Sequence, residues 1–256
     1  MTATSLCRTR KAVRVAGACA GLVVGLAALA GCGGEPDPDA GTNGVGKLSA
    51  TKIQAKSRTA ARAARTVRLA GAVVSGDDTY KLDMRLNADG GTGEVTSKGT
   101  TFALLRVGEH LYLKADAGFW KHQNTKGSAG SSTSDAAAAG KLEGKYVKVP
   151  QGDPSYKRLS TFTDKDVLLD GLLTLHGGLA KGERGSTGGV RTVKVTGGKG
   201  AGGTLDVSLE GKPYPLLLQR AGDTGTLELT DWNKQFDLRE PGQNETVDYG
   251  AKLPTS

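Results

Sequence analysis

The chain has 256 residues, 34 Lys and Arg against 26 Asp and Glu for a formal net charge of +8, and only 5% aromatic residues. Few aromatics and no clustered basic motif argue against nucleic acid as a partner, although the sequence pI is near 9.4. The three cysteines, Cys7, Cys19 and Cys32, leave no disulfide and no thiolate metal site once an N-terminal leader takes away the first two.

The leader is legible at the start. Arg8, Arg10, Lys11 and Arg14 precede an uncharged apolar run from Val15 to Ala30, the charged and apolar regions of a secretory signal. The run is shorter than the roughly 20 residues needed to span a bilayer, so it reads as a removed signal. Leu29-Ala30-Gly31-Cys32 then reads as a lipoprotein cleavage box. Cleavage before Cys32 removes four cations, lowers the net charge to +4 and leaves the thiol to carry diacylglycerol, with palmitate-type chains. Each buried methylene contributes about 0.8 kcal/mol, and two or three chains together anchor stably. The expected location is the extracytoplasmic side of the cell membrane, lipid-anchored.

Residues 33–46 are rich in Gly, Pro and Asp and read as a flexible tether. Ser49 to about Arg65 is an Ala/Lys/Arg-rich helix with a thin stripe of Ile53, Ala60, Ala61 and Ala64, and Ser49 at its N-cap. After Arg65 the period becomes two. Val67 to Ser75 is β-branched, and Tyr80, Leu82, Met84 and Leu86 alternate with Lys81, Asp83, Arg85 and Asn87, which buries one face and wets the other. Further strands follow at Gly93–Lys98, Thr100–Val107, Leu111–Ala115 and Tyr146–Val149, with a Gly/Ser/Ala-rich excursion at 121–145. Connections this short require an antiparallel meander.

Thr163-Asp164-Lys165-Asp166 resembles a capping box ahead of Val167, Leu168, Leu169, Leu172, Leu173 and Leu175, the most apolar helix outside the leader. A helix this apolar must be covered or line something apolar. Four strands complete the pattern at Val190–Thr196, Thr204–Glu210, Leu216–Arg220 and Gly225–Thr230. The fold class is α+β: one large, curved, mostly antiparallel sheet with a few helices. The expected organisation is a cleaved signal at 1–31, a tether with acylated Cys32 at 32–46, a folded domain at 47–242 and a C-terminal tail at 243–256.

No catalytic constellation accompanies this. Ser49-Ala50-Thr51-Lys52 fits S-x-x-K without the partner motifs. Gly198, Gly200 and Gly203 fit G-x-G-x-x-G but join strand to strand, and His110, His122 and His176 lack metal-ligand spacing. The reading is a non-enzyme with no cofactor and no metal.

The order of elements, with VRLAGAVVSGDDTYKLDMRLN, FALLRVGEHLYLKA and GTLELTDWNKQFDLREP, resembles the actinobacterial lipoproteins LppX, LprG, LprA and LprF, relatives of LolA and LolB. The likeness covers roughly 47–241. It departs at Tyr146, where a tryptophan is expected, and in the insertion at 124–140. The resemblance implies a half-open β-barrel whose concave face is lidded by helices around a cavity for acyl chains, and carriage of lipids or lipoglycans outside the membrane. Candidate lining residues are Leu82, Met84, Leu86, Leu105, Val107, Leu111 and Leu113 on the sheet, with Leu168 and Leu172 on the helix. Leu104 and Leu105 are both apolar, so the sequence does not choose between their faces. Two functions fit: an anchored module that binds or transfers acylated lipids, or an anchored surface adaptor with a closed core and an unidentified protein partner.

Overall fold

The computed structural model describes residues 37–75, 77–124 and 140–248, so the signal and Cys32 lie outside the described residues. Twelve strands form one sheet: β1 (Thr66–Ser75), β2 (Asp78–Asn87), β3 (Gly90–Ser97), β4 (Thr100–Val107), β5 (His110–Ala115), β6 (Tyr146–Val149), β7 (Leu179–Thr187), β8 (Val190–Gly197), β9 (Thr204–Ser208), β10 (Pro215–Gln219), β11 (Gly225–Thr230) and β12 (Thr246–Asp248). The helices are α1 (Ala50–Ala63), α2 (Ala117–Asn124), α3 (Pro154–Ser160) and α4 (Lys165–Leu172), with a 3-10 turn at Thr161–Thr163 between the last two.

The strand order is β12-β6-β5-β4-β3-β2-β1-β11-β10-β9-β8-β7, without closure into a barrel. Every described pairing is antiparallel except β12 on β6. The expected class therefore stands: α+β on one large curved sheet. Two hairpin meanders, β1–β6 and β7–β11, meet where β1 pairs with β11.

Register places the apolar alternation on one face. Val147, Leu113, Leu104, Met84, Leu69 and Leu229 follow one another across β6, β5, β4, β2, β1 and β11, with Gly93 of β3 between Leu104 and Met84. Leu82, Leu227, Leu218, Leu205 and Val195 extend the same face, and each is at most 4% exposed. Burial of an aliphatic side chain contributes about 1.5–3 kcal/mol, so this layer dominates the stability of the sheet.

The helices lie against this face. The thin stripe of α1, with Ala50, Ile53, Ser57 and Ala61 buried, rests over β7–β10. α2 packs on β4 and β5, and the Thr161–Thr163 turn lies over β2–β4. Gly91 permits that approach: a Cβ there would collide with the Leu86 side chain and come within 3.4 Å of the Thr163 carbonyl.

Several boundaries differ from the expectation. Residues 38–46 are not a free tether. Asn43 N–H donates to Leu209 O at 2.8 Å, and Val45 is buried. The segment expected as a tail from 243 supplies β12. Ser49 occupies the N-cap of α1 without a side-chain cap bond. For α4 the cap is Asp164, which accepts from Asp166 N and Val167 N, while Thr163 Oγ1 serves Arg106.

Candidate functional site

The inward side chains of the sheet fall into two zones. Towards the β2–β3 and β4–β5 turns, Met84, Leu86, Leu104, Leu111 and Leu113 are at most 2% exposed. Towards the opposite strand ends the cover is incomplete. There Val73, Tyr80 and Phe102 of the same face are only half-buried, as are Phe119 and Phe162 from above. Tyr80 meets Phe162 with ring centroids 5.8 Å apart, and Phe102 meets Phe119 at 5.5 Å. Nearby on the chain, Leu168 is half-buried and Val167 is 54% exposed, the one exposed large hydrophobic among the described residues. We call this partly covered aromatic rim the mouth.

Polar contacts around its edges hold the roof. Gln54 Nε2 donates to Leu173 O at 3.2 Å. Arg62 donates through Nε and Nη2 to the Asp170 carboxylate at 2.9 and 2.8 Å. The buried Lys165 ammonium donates to Arg62 O at 3.1 Å, so α1 and α4 are joined along their length. From below, the Arg106 guanidinium reaches Thr163 Oγ1 at 3.0 Å and Thr163 O at 2.9 Å, pinning the turn before α4 to β4. Exposed ion pairs such as Arg62–Asp170 contribute about 0–1 kcal/mol each. The buried apolar contacts therefore supply most of the attachment.

Of the residues expected to line a site, Leu82, Met84, Leu86, Leu111 and Leu113 share the roofed face, and Leu168 and Leu172 belong to the roof. Leu105 and Val107 do not. Leu105 pairs with Thr92 and Tyr112, and Val107 with Gly90 and His110. Both therefore point to the other face of the sheet, and Leu104 takes the inward place. A strand's side chains alternate strictly, so a choice of phase that is wrong by one residue inverts the whole set. Tyr80, Phe102 and Phe119 went unassigned although Tyr80 and Phe102 are in phase with Leu82 and Leu104. The alternation carried that signal.

The outer face has different chemistry. Arg68 donates to both oxygens of Asp83, at 2.8 and 2.6 Å, and that hydrogen bond holds the Asp83 carboxyl below its usual range. The segment after β11 crosses to the far meander. There Glu240 accepts from Tyr112 OH at 2.9 Å and meets His110 Nδ1 at 2.6 Å. Burial first, and the Glu240 hydrogen bond second, push the Tyr112 phenol up to about 12. A separate cleft of about 640 Å³ opens beside this segment, lined by Arg65, Asn87, Asp89, Asn233 and Phe236 among others. Its walls are polar and apolar in about equal measure.

An open sheet whose apolar face is roofed by separate helices defines an α+β half-shell. Among solved structures the chain is similar to LprF from Mycobacterium bovis, with 16% identity and a TM-score of 0.47 over 75% of this chain and 96% of that one. It is similar also to the lipoprotein LppX from Mycobacterium tuberculosis, with 13% identity and a TM-score of 0.42 over 74% and 99% of the two chains. An uncharacterized conserved protein from Thermus thermophilus matches with 11% identity and a TM-score of 0.37 over 78% and 98%. No family model matches the sequence, and no curated protein matches it. LprF and LppX are two of the proteins that its motifs resemble.

Proposed function

We propose that the chain is a membrane-anchored extracytoplasmic lipoprotein that binds and passes on acylated lipids or glycolipids, without covalent chemistry. The observation that carries the reading is the mouth. Tyr80, Phe102, Phe119 and Phe162 leave apolar surface half-covered at one end of a continuous apolar face, and removing the part still in contact with water is favourable in proportion to its area. Acyl chains would enter there and run between the sheet and α4, over Leu82, Met84 and Leu113 and under Leu168 and Leu172. Diacylglycerol on Cys32 would hold the carrier at the membrane.

The test is transfer of a pyrene-labelled phospholipid from vesicles to the protein. Phe162→Asp places a charge in the mouth, where the side chain is only half-buried, and is expected to lower uptake about tenfold, the equivalent of ~1.4 kcal/mol, with far-UV circular dichroism unchanged. Leu172 is 8% exposed, so Leu172→Glu would strike the roof itself and is less informative. Uptake by Phe162→Asp equal to that of the parent would contradict the reading.

One observation favours the alternative. Met84, Leu86 and Leu111 are fully buried with the roof in place, the arrangement of a closed core. An adaptor of that kind would take up no lipid at all, and the same assay separates the two.

A further inference from the structure

We infer that the anchored protein sits with one particular end of its strands against the bilayer: the end that carries the β7–β8 turn at 187–190 and the β9–β10 loop at 209–214. This rests on the acylation of Cys32 proposed above. The composition of residues 33–46 suggests a coil averaging about 20 Å end to end. Most of it is built into the fold. Asn43 Nδ2 donates to Ser208 O at 3.0 Å and to Gly211 O at 3.2 Å. Arg191 donates to the carbonyls of Ala40 at 3.2 Å and Gly41 at 3.0 Å. Arg184 Nη2 lies 2.6 Å from the Asp39 carboxylate, whose side chain is 6% exposed, and Lys181 Nζ donates to Gly46 O at 3.0 Å. Only four residues, 33–36, then separate Cys32 from Asp37, so the two are at most about 18 Å apart.

The N-terminal part of the docked stretch lies beside Arg191, just after the 187–190 turn. The register gives the β2–β3 turn at 87–90, the β4–β5 turn at 107–110 and the 209–214 loop the same end. A leash so short keeps this end near the headgroups and excludes the inverse orientation, because strands of eight to ten residues put the opposite end about 30 Å further away. That far end carries the β3–β4 turn at Lys98, the turn at Lys199 and the start of α2. The cleft beside Arg65 and Asp89 consequently faces the bilayer. Tyr80, Phe102 and Phe119 open away from it, towards an acceptor rather than towards the membrane that bears the anchor.

The experiment uses the acylated chain in vesicles containing a headgroup-labelled quencher lipid. A single reporter thiol is placed at Lys212→Cys on the near end or Lys199→Cys on the far end; both parent lysines are exposed, and Cys32 is blocked by its own acylation. Quenching several times stronger at 212 than at 199 is expected. Arg184→Ala combined with Arg191→Ala frees the docked stretch and is expected to narrow that difference. Equal quenching at both sites in a protein whose mass carries the diacylglyceryl group overturns the orientation alone. Absence of that mass at Cys32 overturns the orientation and the anchored reading together.

Discussion

Leu104 and Leu105 are adjacent, equally apolar and both buried, yet only the first faces the roof. The phase of β2 was legible because its outward positions are Lys81, Asp83 and Arg85. In Phe102-Ala-Leu-Leu-Arg-Val107 both phases contain apolar residues, and the inward phase contains Arg106, whose guanidinium is used by Thr163. Composition could not separate them; pairing does. Leu104→Asp is expected to destabilise the fold by several kcal/mol, the consequence of an unpaired buried charge. Val107→Asp, half-buried on the outer face, is expected to shift stability by about 1 kcal/mol or less, and urea titration of the two variants reads the difference. The same scale sets the acid response. Asp83 is held below its ordinary 3.8 by Arg68, Asp170 by Arg62, and Glu240 below its ordinary 4.5 by His110 and then Tyr112. Each group's contribution is complete above its ordinary value and is lost as pH falls through the lowered one. These carboxylates therefore leave melting temperature flat above about pH 5 and lower it beneath about pH 4. Arg68→Gln is expected to shallow that acid decline, and an unchanged decline would remove the Arg68–Asp83 pair from the account.

At the scale of elements, strongly periodic segments were legible and weakly periodic ones were not. β7 reads Leu-Ala-Lys-Gly-Glu-Arg-Gly-Ser-Thr and is exposed along most of its length; as an edge strand it has no buried side to impose alternation, and its charges guard an open edge. α3 was missed although its signal was present, for Asp153 caps it by accepting from Ser155 N and Pro154 stands in its first turn. Residues 38–46 looked like a linker because their fixing bonds come from Arg184, Arg191 and the β9–β10 loop, which lie more than a hundred residues away. The α4 helix is short, and its first turn depends on the Asp164 carboxylate. Asp164→Ala is expected to weaken that helix by about 1 kcal/mol. Hydrogen exchange should accelerate across 165–172 and remain unchanged in β1, β2 and β11. Acceleration spread evenly through the sheet would mean that roof and sheet open only together.

At the scale of the whole molecule, the sheet is a platform and the helices its roof, and in the proposed carrier the aromatic mouth is the place where a lipid gains access. The class of fold was legible because one long alternating strand and short connections leave few alternatives. The mouth was not, because half-burial is a property of how α2 and the Thr161–Thr163 turn meet the sheet, and their positions are not written in any single segment. The most direct measurement is native mass spectrometry with lipid extraction on the chain beginning at Asp37, which omits Cys32 and keeps the docked residues Asn43 and Val45. The account predicts discrete adducts in the lipid mass range, diminished in Phe162→Asp. A clean apoprotein mass that acquires no adduct when lipids are offered would contradict it.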